Sequence, residues 1–204
     1  MKKAFLTSVV LAFALTAHAN KKKAETPLTL NVDAAASEMK WVGSKITGSS
    51  HSGTVKIKSG RVEMKGNEIL GGIFEIDMTS VTNTDLADSP KDMQKLVGHL
   101  LSDDFFSAKK FPTATFVIKS AKAVQNGPFT HEITGDLTIK GVTQSVTFPA
   151  VINSKGEMAE ATASFEIDRT KWGIRYGSGQ FFKNLGDRTI NDQIKFDLKV
   201  VAKK

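Results

Sequence analysis

The sequence predicts an all-β fold, an antiparallel meander of about eight strands closed into a barrel, with one helix covering an end. Three features carry that prediction. Apolar and polar residues alternate with period two through most of the chain. Turn-forming residues punctuate the alternation at hairpin spacing. One segment abandons period two for helical spacing, and a lone helix in a β meander must dock on the sheet that surrounds it.

The N-terminus lies outside this pattern. MKKAFLTSVVLAFALTAHAN sets two lysines before an almost uninterrupted apolar run of fourteen residues, Ala4 to Ala17, and ends it on the small-x-small site Ala17-His18-Ala19. Residues 1–19 read as a secretory signal peptide cleaved after Ala19, which predicts a soluble, periplasmic product. The run is shorter than the roughly 18 residues a spanning helix needs. Residues 20–27 read as a tail, and residues 28–204 as a single domain large enough to build a core without staples. The chain has no cysteine, which excludes disulfides, thiol catalysis and a lipid-modified N-terminal Cys together. Loss of Lys2 and Lys3 lowers the formal charge of +7 by two. Part of the remaining excess sits in Lys21, Lys22 and Lys23 and in Lys203 and Lys204. These clusters read as solvated ends, with transient contact to an anionic membrane surface as the alternative. Nucleic acid is disfavoured by the export signal.

The strands follow in order. Phe74, Ile76 and Met78 share one face against Glu75 and Asp77. Ile133, Gly135, Leu137 and Ile139 oppose Thr134, Asp136, Thr138 and Lys140, and Val146, Phe148 and Ala150 repeat the pattern. The cleanest run is Ala159, Ala161, Ala163, Phe165 and Ile167 against Glu160, Thr162, Ser164, Glu166 and Asp168. Ile194, Phe196, Leu198, Val200 and Ala202 form a terminal strand. Turn signals at Ser59-Gly60, Lys65-Gly66-Asn67, Gln125-Asn126-Gly127-Pro128, Lys140-Gly141 and Ser154-Lys155-Gly156 make neighbouring strands antiparallel, and Gly48 to Gly53 reads as a polar hairpin loop. Closing the meander removes its exposed edges. About eight strands leave an interior that side chains can fill or that holds one small ligand. A two-sheet sandwich is the alternative.

The helix is placed at residues 90–101. Ser89-Pro90 reads as N-cap and first helical residue, Asp92 sits near the positive helix end, and Met93, Leu96, Val97, Leu100 and Leu101 form one apolar stripe.

Four ordered motifs resemble the YceI-like family of exported, lipocalin-like proteins associated with polyisoprenoid binding. They are Thr79-Ser80-Val81 with Asp85; His99-Leu100 with Ser102 to Phe106; Phe111-Pro112-Thr113-Ala114-Thr115-Phe116; and Ile133 to Thr143. The resemblance spans roughly residues 28–202. It implies an eight-stranded lipocalin-like barrel with the helix at its mouth and a hydrophobic channel for a long isoprenoid chain. It leaves a homodimer open. The chain departs from the family's usual pattern at Gly53-Thr54-Val55, where an aromatic often follows the glycine, and at Val42 to Lys45, where a histidine is often found.

On this reading the channel and lid comprise Trp41, Leu100, Phe105, Phe106, Phe111, Phe116, Ala161, Ala163, Phe165, Trp172, Phe181 and Phe182. Arg175, Lys183 and Arg188 are the head-group candidates. Each assignment has a plainer alternative. The helix with Phe105, Phe106 and Phe111 forms either a lid over a guest or a plug. Ala159, Ala161 and Ala163 either leave room for a guest or accommodate Trp41 or Trp172. The segment Trp172 to Arg188, aromatic, cationic and glycine-rich, either holds an amphiphile or packs on the barrel end.

Enzyme chemistry finds little footing. His51, His99 and His131 stand alone in sequence, with no zinc-ligand spacing and no G-x-S-x-G turn. Asp103 and Asp104 are adjacent, so their side chains diverge, and His99 is expected to be oriented by Asp103. Gly177-Ser178-Gly179 lacks the strand-to-helix context of a dinucleotide loop. No catalytic residue, metal or cofactor is assigned. The favoured function is a non-catalytic carrier for an isoprenoid or related long-chain lipid. The second is a protein-interaction module presenting helix 90–101 and loop 172–188. The third is a lipid hydrolase or isomerase, which requires one of the histidines to line the cavity beside an acid or hydroxyl.

Overall fold

The computed structural model describes residues 26–204, so the export signal expected over residues 1–19 and the lysines at 21–23 lie outside it. Nine strands and one helix follow in the order β1 (Leu28–Val32), β2 (Glu38–Lys45), β3 (Ser50–Lys65), β4 (Glu68–Asp77), α1 (Pro90–Leu101), β5 (Thr113–Ala123), β6 (His131–Ile139), β7 (Val142–Lys155), β8 (Met158–Asp168) and β9 (Ile190–Lys203). From β2 each strand pairs antiparallel with its neighbours around the ring, and β3 bonds to β4 at the closure. That closure excludes the sandwich.

The barrel has eight staves, because β1 and β2 share one. Both strands pair with β3 on one side and β9 on the other. The break between them is a turn organised by Asp33, whose carboxylate accepts from the Ala35 and Ala36 N–H groups at 3.1 and 3.2 Å and from Lys203 Nζ at 2.7 Å.

Two expected turns prove to be strand. Ser59-Gly60 lies inside β3, at a register shift against β4. Gly60 is there because a Cβ would stand 2.8 Å from Val32 and 2.9 Å from Phe74, which marks a close approach and not a reversal. Similarly, the hairpin predicted over Gly48 to Gly53 turns only at residues 46–49, and Ser50 to Gly53 already pair with β2. The two-residue turn Lys140-Gly141 is as expected, with φ of +52° and +75°, the mirror-image geometry that suits strand twist. The helix occupies residues 90–101 with Pro90 in its first turn, but the Ser89 side chain makes no capping hydrogen bond.

The barrel has two unlike ends. At the base, hairpins β3–β4 and β7–β8 come together, and Leu30, Val62, Met64, Ala159 and Ala202 close the interior. At the other end α1, the 3-10 turns Met78–Ser80 and Arg169–Trp172, and the long connection to β9 pack around Val81, Leu100, Phe105, Trp172 and Ile174. No helix among the described residues is long and apolar enough to cross a membrane.

Candidate functional site

Alternation sends every second side chain of eight staves inward, and these side chains do not fill the space. They surround a cavity of about 840 Å³, within the range of about 300–1,000 Å³ of small-molecule sites. Along β8 its lining runs from Ala159 to Ile167, about 26 Å of strand at ~3.3 Å per residue. With a barrel tilt of about 35–45° this amounts to roughly 20 Å of depth.

The three alanines of β8 line this space. Trp41 lines it too, but its indole N–H donates to Thr82 O at 3.1 Å and its ring packs beside Gly53, where a Cβ would collide with both. Trp172 lies elsewhere, buried under the mouth with its indole N–H on Leu137 O at 3.0 Å. Ala161 and Ala163 therefore leave volume that neither tryptophan takes.

A belt of phenylalanines crosses the wall. Phe74, Phe116, Phe148, Phe165 and Phe196 follow one another on β4, β5, β7, β8 and β9, with successive centroids 6.4, 5.7, 4.3 and 5.7 Å apart. Strand β6 contributes Gly135 at this level because the Phe116 ring occupies the place of its Cβ. Of the belt, the sequence assigns only Phe116 and Phe165 to the channel. Phe74, Phe148 and Phe196 occupy the same inward register, and that register is the signal that finds them.

The lid residues divide. Leu100, Phe105 and Phe106 line the cavity. Phe111 does not. It is 37% exposed and packs on Gly141 outside the mouth, because Pro112, whose carbonyl accepts from Met78 N–H at 2.9 Å, leads directly into β5. Of the segment 172–188, Arg188 and Tyr176 reach the cavity, whereas Arg175, Phe181, Lys183 and Phe182 point to solvent.

The polar lining, apart from Thr162, gathers at the mouth: Lys45, His51, Lys95, His99, Tyr176 and Arg188 are its main members. His51 Nδ1 lies 2.7 Å from Asp85 Oδ2, and Asp85 Oδ1 accepts from Ser52 N–H at 2.7 Å and Asn83 Nδ2 at 2.6 Å. Burial pushes the Asp85 carboxyl up, but the bonds from Ser52, His51 and Asn83 outweigh it and hold the pKa below its ordinary value. His99 is oriented by Asp104, not Asp103: its Nε2 lies 3.0 Å from Asp104 Oδ2, while Asp103 accepts from Lys110 at 2.6 Å. The His99 ring is edge-on to Phe105 and Tyr176 at 5.0 and 4.5 Å. His131 sits at the base, bonded to Thr130, and burial lowers its pKa.

The residue that organises the mouth is Arg169, which the sequence reading passed over. Its side chain is 1% exposed and donates to the carbonyls of Ile174, Tyr176, Ile190 and Asn191 at 2.8–3.3 Å. Ile174 and Tyr176 lie in the connection after β8, and Ile190 and Asn191 at the start of β9 before it pairs with β8, so one guanidinium fork satisfies all four carbonyls. Asp192 Oδ1 lies 3.1 Å from Arg169 Nη2 as an ion pair without hydrogen-bond geometry, and Asp192 Oδ2 accepts from Ser178 and Gln180. Burial lowers the Arg169 pKa, with Asp192 and Asp168 opposing it. The sequence signal was present: residues 159 to 167 face inward at odd positions, and residue 169 is next.

This geometry can now be set beside known proteins. The YceI-like domain profile matches residues 30–202. The chain belongs to the YceI-like family. A UPF0312 protein of Pseudomonas putida (strain F1) is 40% identical over 83 residues, covering 38% of this chain and 42% of that protein. The chain thus spans about two fifths of the length of such curated relatives. Among solved structures, Burkholderia cenocepacia BcnA superposes with a TM-score of 0.65 at 25% identity, over 83% of this chain and 98% of BcnA. A polyisoprenoid binding domain from Saccharophagus degradans shares the fold, with a TM-score of 0.59 at 14% identity over 85% of this chain and 97% of that domain. The YceI-like motifs acquire physical roles: Ser80 Oγ accepts from Lys56 N–H at 2.8 Å, Asp85 ties residues 83–85 to β3, and Ser102 Oγ donates to His99 O at 2.8 Å to close α1.

Proposed function

We propose that this YceI-like protein is an exported, non-catalytic carrier that holds a polyisoprenoid or related long-chain amphiphile inside its barrel. The observation that carries this reading is the apolar cavity of about 840 Å³, deep, greasy along its length and, apart from Thr162, polar near the lid. Each buried methylene is worth roughly 0.8 kcal/mol, so one five-carbon isoprene unit contributes about 3–4 kcal/mol, and several units outweigh the cost of ordering the chain. The name of the Saccharophagus relative supports the cargo class. The N-terminal twenty residues support export to the periplasm. In this reading the cargo tail lies along the phenylalanine belt, and its head meets Lys45, Lys95 and Arg188 beneath α1, which suits an anionic or carbonyl-bearing head.

Organic extraction of protein purified from exporting cells, followed by mass spectrometry, tests the proposal. A long-chain lipid recovered near one equivalent is expected. Protein that carries none, and takes up none when offered polyprenols, quinones and fatty acids, overturns it.

A second reading is favoured by one observation: His51 and His99 line the cavity, and each is paired with a carboxylate outside that lining, Asp85 and Asp104, the arrangement general-base catalysis uses. Among the described residues no hydroxyl bonds to the other nitrogen of either ring. Unaltered cargo after long incubation with wild type, with no difference in His51→Ala or His99→Ala, removes the enzyme reading.

A further inference from the structure

Four of the large apolar side chains left in solvent fall in two adjoining connections at the mouth: Ile46 at 59% exposure, Phe182 at 50%, and Tyr176 and Phe181 at 44%. The connections are joined by Ile46 N–H on Thr189 O at 3.1 Å, and the strand ends beside them by Asn191 Nδ2 on Ser44 Oγ at 2.8 Å. Exposed aromatics cost free energy unless something covers them, and a cluster marks a contact surface where a scattered residue marks nothing.

Phe181 and Phe182 are also held outward. Ser178, fully buried, accepts with its carbonyl from the N–H groups of Phe181 and Phe182 at 3.2 and 3.0 Å, while its hydroxyl donates to Asp192, the partner of Arg169. The turn is thereby fastened to the barrel with both rings pointing away from it. The Arg175 guanidinium lies 4.5 Å from the centroid of Phe181.

Cations outnumber acids around them. Lys45, Arg175, Lys183 and Arg188 are exposed, against one acid, Asp187, in residues 45–49 and 173–189. None of the four cations is ion-paired among the described residues. Aromatic rings interleaved with unpaired cations match the interface of an anionic bilayer, where rings sit at head-group depth and cations meet phosphate.

We propose that Ile46, Phe181 and Phe182, with Lys45, Arg175 and Lys183, form a surface that docks on anionic phospholipid bilayers and turns the cavity mouth toward the lipid. Tyr176 and Arg188 belong to the same segment and line the cavity, so the docked surface and the mouth are contiguous. The role of this contact, loading and release of cargo, rests on the carrier reading; the contact itself does not.

The test is cosedimentation of protein purified from exporting cells with vesicles of equal parts phosphatidylglycerol and phosphatidylcholine, against pure phosphatidylcholine. Every variant carries the same N-terminus, so differences belong to the patch. Wild type is expected to prefer the anionic vesicles. Phe181→Asp with Phe182→Asp loses about tenfold or more in partition, and Lys183→Glu loses about tenfold, an effect that salt mimics. Cavity uptake of a dansylated fatty acid, read in the same preparations, stays at the wild-type level in both variants, so failure of docking and failure of the carrier reading are separate results. Equal partition of wild type and both variants overturns the proposal. So does a wild-type dimer that the double variant abolishes with no vesicle binding by either, which assigns the patch to a second copy of the chain.

Discussion

The two ends of the barrel are closed by different means. At the base, short hairpins bring β3–β4 and β7–β8 together, Ser154 Oγ donates to Asn67 Oδ1 across them at 2.7 Å, and a plug centred on Leu30 fills the interior. At the mouth, long connections are drawn inward by a buried Arg169, two histidines sit on the wall with carboxylate partners behind them, and α1 lies across the opening. The base is held by apolar burial and local turns. The mouth has an apolar cluster of its own, and adds to it polar groups that must find distant partners. A barrel built this way can admit a guest at one end without loosening the other, because polar mouth contacts exchange with water more readily than a packed plug does.

The largest expected effect breaks the mouth. Arg169→Met strips the buried Asp192 Oδ1 of its cation and four carbonyls of their donor, and is expected to cost about 3 kcal/mol in urea unfolding. Arg169→Met combined with Asp192→Leu is expected to recover part of that loss, since the stranded charge is removed. Equal destabilisation in single and double variants would show that the carbonyl bonds, not the ion pair, carry the mouth.

Next comes the base. Leu30, 1% exposed, replaced by alanine is expected to cost about 3 kcal/mol, the middle of the range for a buried leucine. A loss below about 1 kcal/mol would show that the plug packs loosely enough to open.

Phe106→Glu places a carboxylate in the apolar lining under α1. It is expected to weaken binding of a long-chain probe by about a hundredfold, a desolvation cost of ~2–3 kcal/mol, with the thermal midpoint nearly unchanged. Unaltered affinity in a folded variant makes this end a plug and not a lid.

The smallest effect concerns Asp85. Its folded pKa is held below the unfolded value, so its contribution to stability is complete above the ordinary carboxylate range and is lost as pH falls through the lowered value. Asp85→Asn is therefore expected to cost about 1 kcal/mol at neutral pH, and the gap to wild type is expected to close in acid. Urea unfolding at a series of pH values measures it.

The same contrast governs what could be read from sequence. Strands β4 and β6 to β9 were legible because a residue's face in a strand is set by parity alone, and the helix bounds 90–101 because Pro90 and the apolar stripe are local. The shared stave was not, because nothing within Leu28 to Lys45 shows that β1 and β2 pair with the same two neighbours. Ser59-Gly60 misled because glycine serves close approach as readily as reversal. At the mouth, composition was visible but orientation was not. Whether Tyr176 or Phe181 faces inward depends on where Arg169 and Asp192 meet, a contact between the 3-10 turn after β8 and the start of β9. Phe111 was grouped with Phe105 and Phe106 by proximity in sequence, yet Pro112 carries it into β5 on the outer side.

Central to the proposed function is the claim that the space beside Ala161 and Ala163 holds cargo. Titration of a dansylated long-chain fatty acid into wild type and into Ala161→Phe with Ala163→Phe measures that directly. Saturable uptake near one equivalent by wild type, lost in a variant that keeps the wild-type circular dichroism spectrum, is the expected result. Undiminished uptake by the filled barrel, or none by wild type, contradicts it.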